Sequence, residues 1–331
     1  MKVFIAGAGG AIGMRLTAQL VAGGHEVAAM TRSGRKQSLI EELGAQAVVA
    51  DALDRRTVMQ VVVRAKPQVV VSQLTSLTGV SNLKHFDREF ALTNRLRTEG
   101  TDHLLEAARA AGARRFVAQS YGNWTYERRG SPVKTEDDPF DPDPPAEQIE
   151  SLRAIRQLER AVLDADGIEA IALRYGNFYG PGTGLAADGE VTAIVAKRRF
   201  PIIGDGAGIW SFLHVDDAAA ATVAAVERGA PGVYNVADDE PASVAEWLPA
   251  LAAALGAKPP RRVPVWVGRL AAGEVGVSMM TRIRGIANEK AKRELDWSPA
   301  HPSWRQGFRT ILAGERTLSA PRRGKEVESR S

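Results

Sequence analysis

Three glycines near the head of the chain, Gly7, Gly10 and Gly13, stand in the spacing GxxGxxG between an apolar run, Val3 to Ala6, and an amphipathic run, Met14 to Val21. That order implies a strand, a tight turn and a helix, with a second strand, His25 to Met30, following directly. Glycine at these positions leaves no Cβ in the way of a pyrophosphate, and the amides that open the helix point at it. Gly7, Gly10, Ala11, Ile12 and Gly13 are therefore the first candidates for holding a dinucleotide. The string alone is a weak signal, because glycine turns also join strands to helices in proteins that bind nothing.

Further strands are expected at Ala47 to Val49, Val69 to Ser72, Phe116 to Ser120 and Ala170 to Arg174, each separated from the next by amphipathic stretches. Such alternation predicts an α/β fold, a doubly wound parallel sheet covered on both faces. Ligands of these sheets lie at the carboxyl ends of the strands, so the residues just beyond each strand deserve the closest reading. After the second strand comes Thr31-Arg32-Ser33-Gly34-Arg35-Lys36, with no acid to accept from a ribose hydroxyl. Arg32 suits a 2′-phosphate, which favours NADP, with NAD the alternative. Past the third strand, Asp51 and Ala52 suit the adenine, and Asp51 serves equally as a helix cap. Leu74 and Thr75 follow the fourth strand.

The chain has 331 residues, 44% apolar and 25% charged, the profile of an ordinary globular protein. Its net charge of +4 is mostly a tail effect: Arg316, Arg322, Arg323, Lys325 and Arg330 face only Glu326 and Glu328, three of the four charges. A nucleic-acid partner is not expected, and 317–331 reads as a disordered tail. With no cysteine, thiolate chemistry and disulfides are excluded. The five histidines show no paired metal spacing, so no metal is expected. No apolar run is long enough for a membrane span, and the cytoplasm is the expected location.

The segments TNRLRTEGTDHLLEAARAAGARRFVAQS (Thr93 to Ser120), LRYGNFYGPG (Leu173 to Gly182), GDGAGIWSFLHVDD (Gly204 to Asp217) and GVYNVADD (Gly232 to Asp239) follow the glycine turn in order. With it, the chain resembles the extended, atypical class of the short-chain dehydrogenase/reductase superfamily, in its epimerase/dehydratase-like branch. The resemblance implies a Rossmann-like domain over 1–175, to which 211–237 returns. It implies a smaller C-terminal substrate domain from 176–210 and 238–316, and a homodimer through helices near Asn94 to Ala111 and Glu147 to Asp164. It also places Asn94, Tyr175 and Asn177 with the cofactor, the last two against the nicotinamide.

The resemblance fails at one place. Hydride-moving members of the class usually carry a Tyr and, four residues on, a Lys that lowers the phenol pKa. Counting back from Glu159 to Leu163 puts Ser151 and Ile155 there. The Ser or Thr of the usual set falls at Tyr121, behind Ser120. Tyr121 is thus the candidate proton donor or substrate-orienting group, with Ser120 in support, or else it is a pocket wall. Lys134, Arg153 and Arg156 are the cations within sequence reach. Trp124, Tyr126, Tyr175, Phe178, Tyr179 and Trp210 suggest an aromatic mouth for an apolar acceptor. His214, Asp216 and Asp217 read as a buried contact and a helix cap. The expectation is an NAD(P)H-dependent reductase of a small carbonyl or conjugated substrate. A redox-neutral epimerase or dehydratase and a non-catalytic NADP sensor are the alternatives.

Overall fold

In the computed structural model, residues 1–77 and 82–310 are described; the expected tail, 317–331, lies outside them. Seven strands form one parallel sheet: β1 (Lys2–Ala6), β2 (Glu26–Thr31), β3 (Gln46–Val49), β4 (Val69–Ser72), β5 (Arg115–Tyr121), β6 (Glu169–Tyr175) and β7 (Gly232–Val236). Their spatial order is 7-6-5-4-1-2-3. The chain therefore runs outward from β1 to β3 and restarts at β4 on the other side of β1. The crevice for a ligand opens at that switch point.

Because side chains alternate along a strand, both faces of the sheet are apolar. Val3 and Ile5 of β1 pack with Leu16 and Leu20 of α1 (Ala11–Ala22), while Phe4 and Ala6 pack on the opposite side. That second face is covered by α2 (Arg55–Ala65), α3 (Thr101–Ala110) and α4 (Ile149–Leu163) through Val58, Val62, Leu104, Leu158 and Val162. The first face is closed by α5 (Val215–Glu227), whose Ala218, Ala221 and Ala225 let it lie close to α1 and the sheet. Borrowed acceptors cap several helices: Asp54 takes the Thr57 amide at α2, and Asp87 takes the amides of Glu150 and Ser151 at α4.

Beyond β6 and again beyond β7 the chain builds a smaller cluster from paired short strands, α6 (Val244–Ala254) and α7 (Val265–Thr281). Phe212, Trp247, Leu248, Val277, Met280, Trp304 and Phe308 fill it. Asp238 lies where the chain leaves β7 for this cluster and is buried, with Oδ1 accepting from the Glu240 amide and, among the described residues, no hydrogen-bond partner for Oδ2. Desolvation pushes its carboxyl up to about 8. The folded chain then holds a proton that the unfolded chain releases near pH 3.8, so stability falls as pH rises from about 4 to about 8. Asp238→Asn is expected to flatten this part of the profile: its thermal midpoint should match the parent near pH 4 and exceed it increasingly toward pH 8. A parent-like slope in the variant overturns the assignment.

Candidate active site

The turn between β1 and α1 is drawn tight. Gly7 and Ala8 donate their amides to the Met30 carbonyl at 3.1 and 2.9 Å, tying the turn to the end of β2. Gly7 has φ +91°, and a Cβ there would lie 2.4 Å from the Gln73 carbonyl oxygen. At Gly13 a Cβ would meet the Gly7 carbonyl oxygen at 2.3 Å, so helix and turn meet at a distance only glycine permits. Gly10 differs, with an ordinary backbone (φ −80°) and nothing nearer to its Cβ position than the Gly7 oxygen at 3.4 Å. Space is therefore left beside Gly10, and among the described residues no side chain caps the start of α1. An uncapped helix start facing a glycine-floored gap fits a pyrophosphate.

The adenosine end is assembled around the same turn. The Cβ position of Gly7 lies 3.3 Å from the Leu74 amide, and that of Gly100 lies 3.3 Å from Leu74 Cδ1 and 3.7 Å from Ala52 Cβ. Gly7, Ala52 and Leu74 thus come together, with half-buried Thr75 next along the chain. Asp51 is exposed and accepts from the Leu53 amide at 2.9 Å; the α2 cap is Asp54, not Asp51. Arg32 is exposed on the loop after β2, whereas Lys36 reaches back so that its ammonium donates to the Gly9 carbonyl. Sequence reasoning quoted this basic loop but singled out Arg32. A short helical turn at Gly34–Lys36 is what returns Lys36 to the glycines.

At the reacting end the structure divides the sequence candidates. Tyr121 ends β5 half-buried, donates to Asn177 Oδ1 at 2.6 Å and lies with its ring 5.9 Å from Trp124. Desolvation pushes its phenol up to about 12, against the lowering pull of the Arg97 guanidinium, so it is a neutral donor at ordinary pH. Ser120 does not support it. Strand alternation turns Ser120 to the α4 side, where its hydroxyl donates to Glu159 Oε1 at 2.6 Å within a buried pair with Arg174. Tyr175 also needs correction: it is fully buried, its hydroxyl bonded to Thr222 at 2.6 Å and to Gln73 Nε2 at 3.1 Å, a core residue rather than a nicotinamide contact.

The cations proposed near Tyr121 are occupied elsewhere, Lys134 by Asp138, Arg153 by Glu150 and Arg156 by the Asp141 carbonyl. The guanidinium within electrostatic reach of Tyr121 is that of Arg97, which the sequence reading passed over. Ser151 is buried and takes Asp87 and Asn94 as partners, the latter donating from Nδ2 at 3.0 Å. Ile155 is buried among Phe86, Phe90, Trp124, Leu152, Val275 and Ile283. Where the usual phenol and ammonium would stand, this chain has a capped helix start and a hydrocarbon wall.

Of the aromatic residues assigned to the mouth, Trp124 and the half-buried Trp210 do join Tyr121 in this cluster. Tyr126 instead bridges Arg174 and Asn235, and Tyr179 is buried in the smaller cluster; neither reaches the mouth. His214 caps α5 by accepting the Asp216 amide and stacks on His301 at 3.8 Å. Asp217, His214 and His301 lie within mutual reach, but Asp217 is filled by the amides of Ala300 and His301 and by His301 Nδ1. The trio ties the 300s segment to α5. Gly10→Val should leave the unfolding free energy within about 1 kcal/mol of the parent, since the new side chain enters open space. Titrated calorimetrically, the same variant should lose at least about tenfold in nicotinamide-nucleotide affinity; unchanged affinity overturns the placement.

Comparison with known proteins agrees with this geometry. A 3-diazoavenalumate denitrifying reductase from a Streptomyces species is 47% identical over 309 residues, covering 93% of this chain and 99% of that protein. The Thermotoga maritima UDP-glucose 4-epimerase solved with UDP-glucose superposes with a TM-score of 0.75 at 22% identity, over 96% of this chain and 100% of that one. The Thermus thermophilus UDP-glucose 4-epimerase, solved in complex with NAD, gives 0.72 at 24% identity, over 96% and 99%. These relatives act on small molecules, and the protein is an NAD(P)-dependent oxidoreductase. Residues 3–237 match the profile of the NAD dependent epimerase/dehydratase family, and the chain belongs to that family.

Proposed function

We propose that this enzyme reduces an aromatic diazo compound with NADPH and releases dinitrogen. The observation that carries the reading is the pair Ser151 and Ile155. Reducing a ketone leaves an alkoxide that must be protonated, which is the task of the usual Tyr and Lys. An aryl diazo group leaves no alkoxide: hydride adds to its terminal nitrogen to give an aryldiazene, and the N–H proton passes to the ring carbon as the carbon–nitrogen bond breaks and dinitrogen leaves. The balance is aryldiazonium plus hydride to arene plus dinitrogen. Bound nicotinamide supplies the hydride and is oxidised in turn. What the chain would contribute is an apolar wall beside Tyr121, the buried cluster of Phe86, Phe90, Trp124 and Ile155. The 47% identity to a 3-diazoavenalumate denitrifying reductase supports the same chemistry.

NADP is the proposed cofactor because Arg32, Arg35 and Lys36 follow β2, where NAD selection would favour an acid. The acceptor would enter between the sheet domain, 1–175 with 211–237, and the smaller unit of 176–210 and 238–316, of which 311–316 lie outside the described residues. Tyr121 and Asn177 would flank it, and Asn94 would support the reacting end through Ser151. A cytoplasmic homodimer completes the proposal, pairing through α3 and α4, where Ile149 and Leu163 are 42% and 40% exposed. Among the described residues no helix is long and apolar enough to cross a membrane.

Incubated with an ortho-hydroxyaryl diazo acid and NADPH, the protein should release one dinitrogen per cofactor oxidised, read by mass spectrometry of isotope-labelled gas. Cofactor oxidation without gas overturns the diazo chemistry. Binding without oxidation of NADPH by any diazo, enone or ketone acceptor returns a cofactor sensor. Arg32→Ala and Lys36→Ala should each weaken NADPH about 10- to 100-fold, the value of a charge-assisted contact, and leave NADH within about twofold. Equal losses for the two cofactors overturn the NADP assignment.

A further inference from the structure

Arg97 is 6% exposed and stands apart from the other buried arginines. Arg115 pairs with Glu169 and three carbonyls, and Arg174 pairs with Glu159 and the Tyr126 hydroxyl. Arg97 has one recorded hydrogen bond, a long one of 3.5 Å to Asn94 Oδ1, and among the described residues no carboxylate pairs with it. Burial draws its guanidinium down to about 10, so it remains a cation at neutral pH. A buried, uncompensated charge costs several kcal/mol, and chains rarely retain one without a partner.

The backbone also places this residue with care. The helix Ala91–Arg95 passes into a π turn, Leu96–Gly100, before α3 begins. One extra residue in such a turn rotates the following side chains by about 100°. Leu96, Arg97 and Gly100 are the residues turned inward. Arg97 thereby lies against Asn94, which bonds the Ser151 hydroxyl, and within electrostatic reach of Tyr121, whose own hydroxyl is engaged by Asn177.

We infer that Arg97 holds an anionic oxygen of the acceptor, a phenolate or a carboxylate, next to the reacting centre. The inference rests on reading this pocket as the acceptor site. A guanidinium here repels a bare aryldiazonium cation and favours an acceptor that brings its own negative oxygen. The substrate class narrows to aromatic acids or ortho-oxygenated aryl diazo compounds, and Arg97 becomes the residue that selects them.

Four unreactive probes test it on the full chain with NADP bound: para-hydroxycinnamate, its methyl ester, para-methoxycinnamate and methyl para-methoxycinnamate. Affinity is read by calorimetry or by quenching of the tryptophans near Tyr121. Arg97→Met should weaken para-hydroxycinnamate about 10- to 100-fold and leave the doubly capped probe unchanged, with Arg97→Lys recovering part of the loss. The two singly capped probes tell carboxylate from phenolate. The ligand-free thermal midpoint of Arg97→Met should equal or exceed the parent's, because a desolvated charge has been removed. Equal loss for all four probes, no loss for any, or a lowered midpoint without selective loss overturns the inference. Arg97-dependent anion binding in a protein that releases no dinitrogen would sink the diazo chemistry alone.

Discussion

Everything at the site depends on how closely α1 approaches the turn that feeds it. The Gly13 Cα stands against the Gly7 carbonyl with no room for one more carbon, and Gly7 stands equally close to Gln73 at the end of β4. These contacts join β1, α1 and β4 at the point where the strand order reverses, so the gap before the helix and the edge of the sheet are fixed together. The orientation of the first amides of α1, and hence of anything bound to them, follows from that packing.

A second layer of the site hangs from β5 and the helices behind it. Strand alternation sends Tyr121 toward Asn177 and Trp124, and Ser120 toward Glu159 and Arg174. Two adjacent residues therefore serve two purposes: one lines the acceptor region, and the other secures α4 to the sheet through a buried ion pair. That pair carries its own hydrogen-bonded surroundings, with Tyr126 linking Arg174 to Asn235, which makes it tolerable away from water.

The parallel sheet was legible because β1, β2 and β4 are apolar on both faces, and the glycine spacing marked the nucleotide end. Separated motifs in fixed order gave the family. The departures Ser151 and Ile155 were equally legible, since a helix count from Glu159 suffices. Direction was what the letters did not carry. Ser120 and Tyr175 sit at strand ends, as ligand residues do, yet their pleat positions aim them into the core. Arg97 was hidden for the converse reason: in an ordinary helical register its inward facing is not apparent, and only the π turn brings it round. Lys36 likewise depended on a short helical turn that no periodicity announces.

The hydrocarbon setting of Ile155 bears on how such a pocket could be rebuilt. Packed by two phenylalanines, a tryptophan and three aliphatic side chains, that position offers an ammonium a hydrocarbon lining. A lysine reinstated there would place a second uncompensated cation in the same neighbourhood as Arg97, at a cost of several kcal/mol. A tyrosine at Ser151 would first have to displace the carboxylate that starts α4. Neither replacement is accommodated without the other, so a phenol–ammonium couple could be built here only by repacking both places at once.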